Sequence, residues 1–152
     1  MKKIASIILL SLSILITTSV FAASEKSQVQ AAYHTWIKAV TTADGKPSSV
    51  LNLYAPDAIL LATLDPKPLL TRKALRQYFV KFTGLKDLTA TTQQLITRVF
   101  PGFAINDGRY TFQYQGANGK TKTVEARFNF VYRNVDGQWL IVDHHSSVLP
   151  KP

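Results

Sequence analysis

The chain has 152 residues, no cysteine, and 18 Lys and Arg against 9 Asp and Glu, for a formal net charge of +9. Without cysteine there is no disulfide framework, no thiolate nucleophile and no thiolate metal site, so any core must be held by packing alone. The basic residues are scattered, with no run beyond Lys2-Lys3 and Arg72-Lys73, which argues against nucleic acid as a partner and leaves a general attraction for small anions.

Residues 1–22 begin with Lys2 and Lys3, continue through an apolar stretch from Ile4 to Ile16, and reach Val20-Phe21-Ala22. That pattern predicts a secretory signal peptide cleaved before Ala23, with a retained membrane anchor as the alternative. The expected mature chain, residues 23–152, is then periplasmic or secreted and has no membrane partner. Its length suits a single domain with one core.

Between residues 24 and 42, Val29, Ala32, Tyr33, Trp36, Ile37 and Val40 recur at three- and four-residue spacing, the apolar stripe of an amphipathic helix. Asp44-Gly45-Lys46-Pro47 should end it. A short second helix is expected over 48–54. Ala55-Pro56-Asp57 then turns the chain into a buried strand over 58–64, which Asp65-Pro66-Lys67-Pro68 breaks. Thr71 occupies an N-cap position, and Leu75, Tyr78, Phe79 and Phe82 line one face of a third helix that Gly84 closes. Beyond Gly84 the period changes from helical to alternating. Residues 89–99, 103–114, 121–133 and 138–148 read as four long strands, with hairpin turns at 116–119 and 134–137. Helices first and an antiparallel meander afterwards make an α+β domain, in which a curved sheet can wrap the first helix and leave a half-open pocket.

The last strand ends in LIVDHHSSVLP, residues 140–150, which places two of the chain's 3 histidines side by side. Strict alternation puts Trp139, Ile141, Asp143, His145 and Ser147 on one face and Leu140, Val142, His144 and Ser146 on the other. Each face thus ends in a His followed by a Ser. Diverging histidines argue against a catalytic zinc, which needs three convergent ligands and an open position. A serine two residues along a strand is about 7 Å from its histidine. That is too far for a direct hydrogen bond, so these serines read as donors to a ligand and not as triad nucleophiles. The plain structural alternative is that the four groups only cap the end of a sheet.

ARFNFVYRNVDGQWLIVDHHSSVLP and LNLYAPDAILLATLDPKPLLTRKALRQYFVKF resemble the calcium/calmodulin-dependent kinase II association-domain branch of the nuclear transport factor 2-like superfamily. Within that branch the chain is most similar to the small exported iota-class carbonic anhydrases. The resemblance spans the mature chain. It implies a cone-like curved antiparallel sheet wrapped around N-terminal helices, and reversible hydration of carbon dioxide to bicarbonate. No cofactor is expected, with a divalent metal such as zinc or manganese as the alternative. By the same resemblance the catalytic residues would be Thr63, Tyr78, His145 and Ser147, with His145 relaying the proton. The substrate-binding wall would come from Tyr33, Trp36, Tyr54, Phe128, Phe130, His144 and Ser146. A homodimer is also implied. Two other readings stand beside this one: a non-enzymatic small-ligand-binding or oligomerisation domain, and an isomerase or dehydratase using Asp143 as base.

Overall fold

The computed structural model describes residues 24–42 and 46–150. The expected signal peptide, 1–22, lies outside the described residues. Three helices precede or interrupt a five-stranded sheet: α1 spans 24–42, α2 Pro47–Leu51 and α3 Arg72–Thr83. The strands are β1 Tyr54–Leu61, β2 Thr89–Phe100, β3 Phe103–Gln115, β4 Thr121–Val135 and β5 Gln138–Val148, in the order β1-β5-β4-β3-β2. The expected α+β class, a curved sheet around N-terminal helices, is what the structure has.

Local chemistry explains the boundaries. Pro47 opens α2, where its fixed φ and missing N–H cost nothing. Thr71 caps α3 by accepting from the Ala74 backbone N–H at 3.2 Å. Two boundaries differ from expectation. α2 ends at Leu51, and β1 begins at Tyr54 and ends at Leu61, so the segment read as a turn belongs to the strand. Pro56 is tolerated there because β1 is an edge strand. Ala62, Thr63 and Leu64 leave the strand for a loop whose base is tied by two backbone bonds between Leu60 and Leu69, of 3.1 and 2.9 Å. The sheet is also not wholly antiparallel, since β1 pairs parallel with β5, a pairing that needs the long crossover the intervening elements supply.

Helix α1 lies on the concave face and buries Val29, Tyr33, Trp36 and Val40 against Tyr110, Phe112, Phe128, Phe130, Tyr132, Trp139 and Ile141. Full burial of a large apolar side chain stabilises by about 1.5–3 kcal/mol, so this aromatic layer dominates the core. Asn106, fully buried, ties helix to sheet: it accepts from Thr97 at 2.7 Å and donates to the Val29 carbonyl at 3.3 Å.

Besides a register shift between Tyr54 and Ile59 in the parallel β1–β5 pair, two irregularities interrupt the antiparallel pairs. The β2–β3 register shifts between Thr92 and Gln94, next to Gly108. A Cβ on Gly108 would stand 2.0 Å from the Gln94 carbonyl oxygen and 2.7 Å from the Phe128 ring, so only glycine permits that approach. The second shift sets Val131 opposite Asp143 but Tyr132 opposite Ile141, leaving Val142 as an extra residue in β5. This bulge reverses the alternation. Trp139 and Ile141 face inward before it, and His144 and Ser146 face inward after it.

Candidate functional site

Between α1, α3, the loop after β1 and the concave sheet lies a cavity of about 20 Å³, room for one or two water-sized molecules. Its wall is mostly aromatic and aliphatic, with Leu60, Phe79 and Phe112 among the lining residues. Side chains bearing hydroxyl or imidazole groups line it from four places: Thr63 from the loop, Tyr78 from α3, Tyr110 and Tyr114 from β3, and His144 and Ser146 from β5.

His144 is 3% exposed and stacks on Phe130 with ring centres 3.9 Å apart. Trp36 Nε1 donates to the Tyr54 hydroxyl at 3.0 Å, and that hydroxyl lies 2.8 Å from His144 Nδ1. His144 Nε2 is buried without a protein partner. Burial, and secondarily the charge of neighbouring His145, pushes the His144 pKa down to about 3, so the ring is neutral at physiological pH. Burial likewise holds Tyr54, Tyr110 and Tyr78 as neutral phenols, their pKa values raised well above the ordinary tyrosine range. Tyr110 donates to Ser146 Oγ at 2.6 Å, and Thr63 Oγ1 closes a hydrogen bond with the same oxygen. The site therefore combines a neutral imidazole with an unpartnered nitrogen and three linked hydroxyls, all in a low-dielectric setting where such groups interact strongly with developing charge.

Of the residues expected to form the site, Thr63, Tyr78, Trp36, His144 and Ser146 line the cavity. Tyr54 and Phe130 contact His144 from behind. Tyr33 and Phe128 stack on each other at 5.1 Å, and the Tyr33 hydroxyl bonds Thr92 at 2.8 Å; they support the core without reaching the cavity wall.

The placement of His145 and Ser147 is corrected. The Val142 bulge turns both to the opposite face of the sheet. His145 is exposed there, and Ser147 accepts from Arg127 Nε at 3.1 Å. His145 borders a separate open groove of about 230 Å³ with Leu61, Pro66, Lys67 and Ser146. Ser146 and Ala62 line both hollows. Asp143 faces the outer side too, its pKa raised by desolvation, and no carboxylate lines the inner cavity. Tyr110 was missed by sequence reasoning. The alternation of Tyr110, Phe112 and Tyr114 marks one aromatic face, but nothing in the sequence distinguishes the hydroxyl that meets Ser146. Among the described residues, no group of three or more His, Asp or Glu side chains comes close enough to hold a metal ion.

The sequence profile of the calcium/calmodulin dependent protein kinase II association domain matches residues 25–150. No curated protein matches the chain by sequence. Among solved structures, a calcium/calmodulin dependent protein kinase II association-domain protein from Xanthomonas campestris is 38% identical, with a TM-score of 0.74 over 82% of this chain and 87% of that one. A nuclear transport factor 2-like superfamily protein from Salmonella enterica serovar Typhimurium has a TM-score of 0.76 at 14% identity, covering 85% of this chain and 94% of that one. A protein of the same type from Novosphingobium aromaticivorans, described as having a cystatin-like fold, has a TM-score of 0.76 at 9% identity over 90% of each chain. The last two are similar in fold alone.

Proposed function

The chain belongs to the calcium/calmodulin-dependent protein kinase II association-domain family and has the nuclear transport factor 2-like fold, and from that premise we propose that it is a carbonic anhydrase of the iota class. The observation that carries this reading is the unpartnered His144 Nε2 beside the Thr63, Ser146 and Tyr110 hydroxyls, in a hollow of about 20 Å³ with otherwise apolar walls. Carbon dioxide is small and apolar and suits that wall. Attack by water forms a C–O bond and puts negative charge on the former carbon dioxide oxygens, where the imidazole N–H and hydroxyls stabilise it. The water's proton must leave. His144 is a poor acceptor because burial depresses its pKa, so the proton passes by way of Ser146 to the open groove, where exposed His145 receives it.

The reading takes the metal-free form. A zinc or manganese ion in the cavity would find one imidazole nitrogen, hydroxyl side chains and no carboxylate, which does not match three convergent protein ligands. Metal analysis paired with hydration assays before and after chelation tests this point, and activity that vanishes with the metal and returns with it would overturn it.

The decisive measurement is stopped-flow hydration of carbon dioxide by the wild type and Ser146→Ala. A wild-type rate above background that falls in the variant supports the enzyme; background rates in both favour a non-enzymatic ligand-binding domain. An isomerase or dehydratase is less well supported, since Asp143 lies on the far face of the sheet. The reading also carries export through the signal peptide, checked by sequencing the mature N-terminus. It carries a homodimer through the outer sheet face, where Ile96 and Phe103 are 47% and 41% exposed, checked by light scattering.

A further inference from the structure

The buried hydrogen bonds around His144 have a direction, and that direction decides what the cavity can hold. Trp36 Nε1 carries a hydrogen and no lone pair, so at 3.0 Å it can only donate to the Tyr54 oxygen. Tyr54 is 2% exposed, and its own hydrogen needs an acceptor. Among the described residues the one bonded to it is His144 Nδ1, 2.8 Å away. Were Nδ1 protonated instead, the Tyr54 oxygen would receive two donors and its hydrogen would be buried without a partner, at a cost of about 1–3 kcal/mol. A neutral imidazole has one N–H. It is therefore on Nε2, the nitrogen that no protein group meets.

The hydroxyls run in the same sense. Tyr110 spends its hydrogen on Ser146 Oγ. Ser146 and Thr63 share one hydrogen between them, which leaves one hydroxyl hydrogen over from the pair. At least two free hydrogens, one on the His144 nitrogen and one on a hydroxyl of the Ser146–Thr63 pair, then serve a single small hollow.

We infer that Trp36 and Tyr54 are positioning residues that lock His144 as its neutral Nε2–H tautomer, making the cavity a donor site for a small oxygen-bearing anion such as formate or bicarbonate. This rests on the cavity being the reaction site, and it assigns His144 to charge stabilisation instead of proton transfer. It also gives a physical reason for metal-free chemistry. A metal on Nε2 needs that nitrogen's lone pair, which moves the proton to Nδ1, and Tyr54 opposes the move.

The test reads the tautomer directly. In isotope-labelled mature protein at neutral pH, long-range imidazole nitrogen spectra should show His144 with a bare Nδ1 and a protonated Nε2. Formate titrated into the wild type should perturb Nε2, while methylammonium, which offers no lone pair, should not. In Tyr54→Phe the single tautomer should give way to a mixture, and formate affinity should fall in proportion to the Nε2–H population lost, about twofold for an even mixture. A protonated Nδ1 in the wild type overturns the assignment, as does a Tyr54→Phe protein that keeps both the Nε2–H tautomer and the affinity. If Tyr54→Phe does not fold, Trp36→Phe, which removes one of the two donors that would compete for the Tyr54 oxygen, takes its place, with a smaller shift of the tautomer in the same direction expected. A wild type that shows the tautomer and binds formate but gives no hydration removes the carbonic anhydrase reading and leaves this assignment standing.

Discussion

The two faces of β5 carry the same residue types one step apart, a His and a Ser on each side. His144 and Ser146 are 3% and 7% exposed, bonded to Tyr54, Tyr110 and Thr63. His145 lies open to solvent, and Ser147 bonds the exposed Arg127. The difference between the pairs is one of surroundings. On the inner face a low dielectric and fixed partners set the protonation state of the imidazole and the direction of each hydroxyl. On the outer face water competes for every one of those bonds, and a contact such as Arg127 to Ser147 contributes little.

The largest expected effect that separates the faces is from His144→Phe, which keeps a ring against Phe130 but deletes the nitrogen donor. Its kcat/KM for hydration should fall by about 100- to 1,000-fold, the range for loss of one oxyanion donor, whereas His145→Phe should slow only turnover limited by proton release. Equal losses at both positions would erase the distinction. Next, Ser146→Ala removes the acceptor of Tyr110 and the partner of Thr63, and should cost about 1–3 kcal/mol in urea unfolding. Ser147→Ala should stay within about 0.5 kcal/mol.

A third contrast is in pH. The folded His144 pKa of about 3 lies below the ordinary value of about 6.5, so the unfolded chain binds the proton first. The stability this represents is complete above about pH 6.5 and is lost as pH falls towards 3, by up to about 1.4 kcal/mol per pH unit. Denaturant melts across that window should show a shallower decline in His144→Phe, and an unchanged slope would mean that the imidazole is not buried neutral. A small effect is also expected on the exposed Asp57–Arg133 pair, 3.0 Å apart. Arg133→Ala should change stability by less than about 1 kcal/mol, an effect that added salt should shrink.

Much of the architecture was legible from local pattern. The α1 stripe of Val29, Tyr33, Trp36 and Val40 is the buried face, Thr71 is the cap of α3, and β5 runs over Gln138–Val148 as the alternation indicated. β1 was displaced because Pro56 is a turn signal by itself and a tolerated strand residue only at a sheet edge; which strand is an edge depends on pairing far along the chain. Thr63 was expected on a strand and lies in a loop, yet still reaches the cavity because the Leu60–Leu69 bonds fold that loop back over it.

Composition and periodicity alone determined the α+β class, the helical stripe that fills the concave sheet, and the imidazoles and hydroxyls at the end of the last strand, because helical and strand periods are written into neighbouring residues. Which imidazole faces inward was decided only by tertiary structure. A strand's parity is local, but its bulges are set by the strands beside it, and here one unpaired residue, Val142, turns His144 and Ser146 to the cavity and His145 and Ser147 to the outer face. The hydrogen-bond partners that orient the inner ring, Trp36 and Tyr54, likewise come from segments 108 and 90 residues distant, a juxtaposition only the folded chain makes.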